Sequence, residues 1–121
     1  MQKLAKREAQ IMQVLWMLEK AFVKEIVAAL PEPRPHYNSV STMVRILETK
    51  GFIGHHSFGK THQYFPKISK ATYQKEAVGE VLEKYFDNSY SKMVAYFAEQ
   101  ENISQGELEH ILEMIKHNKK S

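Results

Sequence analysis

Apolar positions recur at helical spacing along most of the chain, with a single interruption. Ile11, Met12, Leu15 and Leu18, widened by Val14 and Trp16, mark a first helix over Lys6–Lys20. A short second helix, Val23–Leu30, runs into Pro31-Glu32-Pro33-Arg34-Pro35. Three prolines in five residues cannot continue a helix and impose an extended link. Val40, Met43, Val44 and Leu47 fall at i, i+3, i+4 and i+7, the apolar stripe of a third helix. Asn38 or Ser39 is expected to cap it, and Gly51 to end it. The interruption follows. Phe52–Ser57 and Thr61–Ile68 read as two short strands around Phe58-Gly59-Lys60, with Gly59 supplying a positive φ.

Helical spacing then resumes. Ser69 is a candidate cap for a helix carrying Tyr73, Ala77, Val78, Val81, Leu82, Tyr85 and Phe86. Asp87-Asn88-Ser89 breaks it, Ser91–Gln100 forms another, and Ser104 with Glu107 opens a last one bearing Leu108, Ile111, Leu112 and Ile115.

The order is three helices, a hairpin and three helices. This predicts a mainly α chain: a winged helix-turn-helix over 1–68, with the hairpin as a small β wing, and a helical dimerisation region over 69–121. The last 53 residues carry more apolar stripe than three short helices can bury alone, which points to closure against a second copy. The residues expected at that interface are Tyr73, Val78, Val81, Leu82, Tyr85, Phe86, Val94, Phe97, Leu108, Ile111, Leu112 and Ile115.

Composition sharpens this picture through charge and cysteine. The 121 residues contain no Cys, which excludes disulfides, thiolate metal sites and a cysteine nucleophile, and fits a cytoplasmic setting. The net charge is only +3, but it is unevenly spread. Residues 1–68 hold ten Lys/Arg against five Asp/Glu, a net +5; residues 69–121 hold seven against nine, a net −2. A basic front suits a polyanion. No apolar run reaches the ~18 residues of a membrane span, and the N-terminus lacks the apolar core of a secretory signal.

The candidate chemistry sits in the same front part. With the apolar stripe inward, 100° per residue turns Asn38, Ser41, Thr42, Arg45 and Thr49 outward. Short polar side chains with one Arg suit close entry into a DNA major groove. Lys60 at the wing tip, with His62 beside it, suits phosphate contact. His55 and His56 are neighbours in a strand and face opposite ways, so no metal site is expected there. Glu107-Leu108-Glu109-His110 has the Glu-x-x-His spacing of di-iron bundles, but only once, so it reads as a solvated face. No nucleophile elbow, phosphate loop or zinc-protease motif is present, so neither an enzyme nor a small-molecule substrate or cofactor is expected. The competing reading is a winged-helix protein-interaction module that recruits a partner through its C-terminal helices.

Several segments occur in a telling order: Ala9-Gln10-Ile11-Met12-Gln13-Val14-Leu15-Trp16, Lys24-Glu25-Ile26, Ser39-Val40-Ser41-Thr42-Met43-Val44-Arg45-Ile46-Leu47, Lys50-Gly51-Phe52-Ile53 and Gln63-Tyr64-Phe65-Pro66. In this order they resemble the penicillinase-repressor family of BlaI, MecI and CopY regulators. The resemblance continues through Met93–Ser104 and so spans nearly the whole chain. It implies a homodimeric winged-helix repressor that binds palindromic operator DNA through its third helix and wing. It also implies relief of repression by proteolysis in the dimerisation part, linked to a membrane-associated metalloprotease sensor. The family's Lys-Thr pair at the start of the third helix corresponds to Asn38-Ser39, and a later threonine is kept as Thr42. Other departures are Ile46 where an Arg is usual, Phe22 where a Thr caps the second helix and pairs with Glu25, and Pro35-His36-Tyr37 where a Trp precedes the third helix. The family's Asn-Phe cleavage bond corresponds to Tyr96-Phe97. The copper branch's C-terminal cysteine motif has no counterpart in Lys116–Ser121.

Overall fold

The computed structural model describes residues 3–100 and 103–119, with the backbone alone for Leu112 and residues 115–119. The elements are α1 (Lys6–Leu18), β1 (Ala21–Phe22), α2 (Val23–Ala29), α3 (Tyr37–Thr49), β2 (Ile53–Phe58), β3 (Thr61–Pro66), α4 (Lys70–Tyr85), α5 (Tyr90–Gln100) and α6 (Gln105–Lys119). The chain divides into two compact units, residues 1–75 and 76–121, with α4 beginning in the first and continuing into the second.

The first unit has one core. Ile11, Met12 and Leu15 of α1 meet Ile26 of α2, Val40, Val44 and Leu47 of α3, and Phe52 and Ile53, all essentially solvent-free. Each such side chain contributes about 1.5–3 kcal/mol by leaving water. The stripe expected on the third helix is therefore the buried one, with Met43 packed at its margin. Trp16 is held at the edge: its indole N–H donates to the Ile68 carbonyl at 2.9 Å, and its ring lies 5.7 Å from Tyr73.

The hairpin belongs to a three-stranded antiparallel sheet in the order β1-β3-β2. Its third strand, Ala21–Phe22, was not expected: two residues are too few to show a period. It pairs Ala21 with Tyr64 and Phe22 with Gln63. The wing strands differ from the pattern: β2 is shifted by one residue and takes in Phe58, expected in the turn, and β3 is shorter at its outer end. Phe52 is not in β2 but closes the end of α3, its N–H donating to the Leu47 carbonyl at 3.0 Å while Gly51 takes a φ of 87°. β3 stops at Pro66, which has no N–H to extend the ladder.

Helix ends bear out some expectations and correct others. The Ser69 hydroxyl oxygen accepts the Thr72 N–H at 3.1 Å, and that of Ser104 accepts the Glu107 N–H at 3.1 Å. The break at residues 87–89 is real: Asp87 and Asn88 take positive φ, and the Ser89 hydroxyl caps α5 through the Lys92 N–H. Neither Asn38 nor Ser39 caps α3. The helix starts directly after the proline link, with extended His36 at the cap position and no side-chain cap, so both residues lie within the first turn. Glu25 keeps its half of the box despite Phe22: its carboxylate accepts the Phe22 N–H at 2.8 Å.

Candidate nucleic-acid interface

The outward side of α3 is the side the stripe leaves free. Asn38, Ser39, Thr42, Arg45 and Thr49 are exposed, and Ser41 is half-buried. The Arg45 guanidinium donates to the Ser41 hydroxyl at 3.2 Å, so its fork is steadied one turn back along the helix. The Thr42 and Thr49 hydroxyls donate to the carbonyls of Asn38 and Arg45, each at 3.0 Å. Two larger side chains flank this strip and were not among the contact residues expected from the sequence: Tyr37 is 51% exposed and Ile46 43%. Tyr37 was read only within Pro35-His36-Tyr37, ahead of the third helix, yet it is the first helical residue.

The wing is built by cross-strand register. His55 faces Tyr64, and Ser57 faces His62, so His55, His62 and Tyr64 share one face of the hairpin. Gly54, His56 and Phe65 occupy the other, where His56 stacks on Phe65 at 4.8 Å. Gly54 leaves room for that ring, since a Cβ would meet its far end at 2.9 Å and the ring would have to shift. The turn is Gly59-Lys60, with Gly59 at φ 63° and the Thr61 hydroxyl bonded to the Phe58 carbonyl at 2.9 Å. Lys60 and His62 are both exposed, as a polyanion contact requires.

Two side-chain contacts tie α3 to its neighbours, one a hydrogen bond and one an ion pair. The Glu48 carboxylate meets His55 Nδ1 at 2.6 Å, joining the end of α3 to the wing. His55 in turn stacks face to face on His62, with ring centres 4.1 Å apart and planes 3° from parallel. Below them Tyr64 is buried; that burial, with the nearby Glu48 charge, raises its phenol above the ordinary value. On the far side, Lys50 Nζ lies 3.1 and 3.0 Å from the two oxygens of Glu8, which is itself nearly buried at the start of α1. Burial works against the Glu8 charge, but the Ala5 N–H and the Lys50 ammonium outweigh it and hold the carboxyl below its usual value. These partners are 7 and 42 residues apart in sequence, and no local pattern announces either pair.

Parallel stacked imidazoles hold their nitrogen lone pairs in parallel planes, which do not converge on one ion. Among the described residues no group of three or more His, Asp or Glu could hold a metal.

In the second unit, Val78, Val81, Tyr85 and Phe97 are exposed, while Phe86, Val94, Leu108 and Ile111 are partly covered and Leu82 is buried. The side chains of Leu112 and Ile115 lie outside the described residues. Tyr73, grouped with these from the sequence, lies instead in the first unit, its ring 6.0 Å from Phe52 as well as near Trp16. Its period matched the rest of the stripe, which could not reveal where the helix passes from one unit to the next. Tyr96 and Phe97 pack edge to face at 5.3 Å, with Phe86 at 5.6 and 6.3 Å, and the bond between them lies within α5.

Comparison with known proteins places this arrangement. The chain is 24% identical over 114 residues to the methicillin resistance regulatory protein MecI of Mammaliicoccus sciuri, covering 93% of each chain. It is 23% identical over 113 residues to the penicillinase repressor of Bacillus licheniformis, covering 93% of this chain and 88% of that one. The solution structure of the DNA-binding domain of the repressor BlaI superposes with a TM-score of 0.52 at 26% identity, over 60% of this chain and 94% of that one. The sequence model of the penicillinase repressor family matches residues 4–117. A winged helix with this element order, matched over nearly its full length, belongs to the penicillinase repressor family.

Proposed function

We propose that the protein is a cytoplasmic transcriptional repressor that binds palindromic operator DNA as a homodimer. The observation that carries this reading is the outward face of α3, with Asn38, Thr42 and Arg45 exposed beside a hairpin tipped by Lys60. A helix whose outer side is short, polar and singly basic fits a major groove, while the wing's cation meets the flanking backbone. Asn38 suits adenine, and Arg45 suits guanine O6 and N7. Ser39, Ser41 and His62 supply hydroxyl and imidazole groups for positioning contacts. The named activity of the family's relatives, and of the BlaI domain that superposes on this chain, agrees with it.

Dimerisation is supported by the apolar side chains left in water on the second unit. Val81, Tyr85 and Phe97 are 40%, 74% and 40% exposed. Two tethered heads on two half-sites gain effective concentration that one head lacks. Repression is then steric, and a cut in the second unit relieves it. The Tyr96-Phe97 bond is the proposed point, with a membrane-associated metalloprotease sensor as the proposed agent. Because the bond sits inside α5, a protease must first open that helix, at the local end of the stability range.

Nuclease footprinting on the DNA upstream of the gene, paired with sedimentation of the free protein, tests the reading. We expect a dimer and two protected half-sites, a helical turn (~34 Å) or a multiple apart. A monomer with no protected site would overturn it and favour a winged helix that binds protein partners instead.

A further inference from the structure

Asn38 and Thr42 stand one turn apart on the outward side of α3, and both are exposed. The Thr42 hydroxyl is turned back onto the helix, donating to the Asn38 carbonyl at 3.0 Å. This local bond occupies its only proton and directs the γ-methyl away from that carbonyl. Thr42 therefore presents a methyl group, and at most an acceptor oxygen, to whatever α3 meets. On the opposite side Val40, Val44 and Leu47 are fully buried, so α3 has no freedom to roll and offer another face.

In the major groove only thymine shows an apolar projection, its C5-methyl, and a threonine methyl meets it well. We infer that Thr42 is a specificity-determining residue that reads a thymine through methyl–methyl contact, not through its hydroxyl. This inference rests on the DNA-binding reading above. Asn38, one turn earlier, has an amide suited to adenine. Together the two side chains call for an A·T-containing step under the first two turns of α3 in each half-site.

The test uses the full chain and a duplex enriched by it from a randomised pool. Each thymine of that duplex is replaced in turn by uracil, which removes only the C5-methyl, and affinity is read by anisotropy. We expect one position per half-site where uracil weakens binding about fourfold, the equivalent of one buried methyl group. Thr42→Val keeps the methyl and loses the hydroxyl, so it retains that discrimination. Thr42→Ser keeps the hydroxyl and loses the methyl, so it binds the thymine and uracil duplexes alike. Thr42 is exposed, so neither substitution disturbs the core. The inference is overturned if no thymine is sensitive, or if Thr42→Ser still discriminates. If no duplex is enriched at all, the DNA-binding reading itself fails, which is a different result from enrichment without uracil sensitivity.

Discussion

Arg45 and Lys60 are both exposed cations, but their settings ask different things of them. Arg45 is braced by the Ser41 hydroxyl on a helix whose roll is fixed by buried valines. A steadied planar fork suits one base edge. Arg45→Ala is expected to cost about 1–3 kcal/mol of operator binding and to relax preference at one position of a randomised pool. Equal loss on every sequence would move Arg45 to the phosphates. Lys60 sits at the tip of a two-residue turn with no partner holding it among the described residues. Lys60→Ala should weaken specific and random duplexes alike and reduce the salt slope by about 1. A loss confined to one sequence would assign it to base readout. The outward set on α3 was legible because 100° per residue leaves no choice once the stripe is known. The direction of the Thr42 hydroxyl was not legible, since sequence gives no rotamer.

At the scale of elements, the helices were readable from period and the hairpin from two short strand-like runs around Gly59, whereas the joints between elements were not. β1 is too short for a period, and the Glu8–Lys50 and Glu48–His55 pairs depend on tertiary approach. The Glu8–Lys50 pair ties the start of α1 to the end of α3. Its loss should be felt as stability, less than for a fully buried pair because Lys50 keeps 26% of its side chain in water. Glu8→Gln is expected to cost about 1–2 kcal/mol near neutral pH. The folded carboxyl lies below its ordinary value of 4.5, so the charged form adds stability above that value and loses it as pH falls through the folded value. The difference in melting temperature between the wild type and Glu8→Gln should therefore shrink on acidification below 4.5. A difference that grows on acidification would mean the carboxylate is not stabilised by Lys50.

At the scale of the whole molecule, the division of labour was visible in charge: a +5 front and a −2 back. Where the units divide was not visible, because the apolar period of α4 runs unbroken through Tyr73 on one side and Val78 on the other. Tyr73 serves the first unit's core, while Val81 and Tyr85 stay in water. Val81→Asp would place a charge on the proposed dimer surface without touching α3 or the wing. It should shift the full chain toward monomer in sedimentation and lower operator affinity tenfold or more, since two heads no longer bind as one. Monomers that bind the operator as tightly as wild type would separate dimerisation from repression.

The central claim is that the first unit reads DNA, and fluorescence anisotropy tests it most directly. The pure protein is titrated against its own upstream duplex and against a scrambled duplex, at two salt concentrations. A preference for its own DNA, with affinity falling steeply as salt rises, is the predicted result. Weak, equal and salt-insensitive binding to both duplexes would contradict the account.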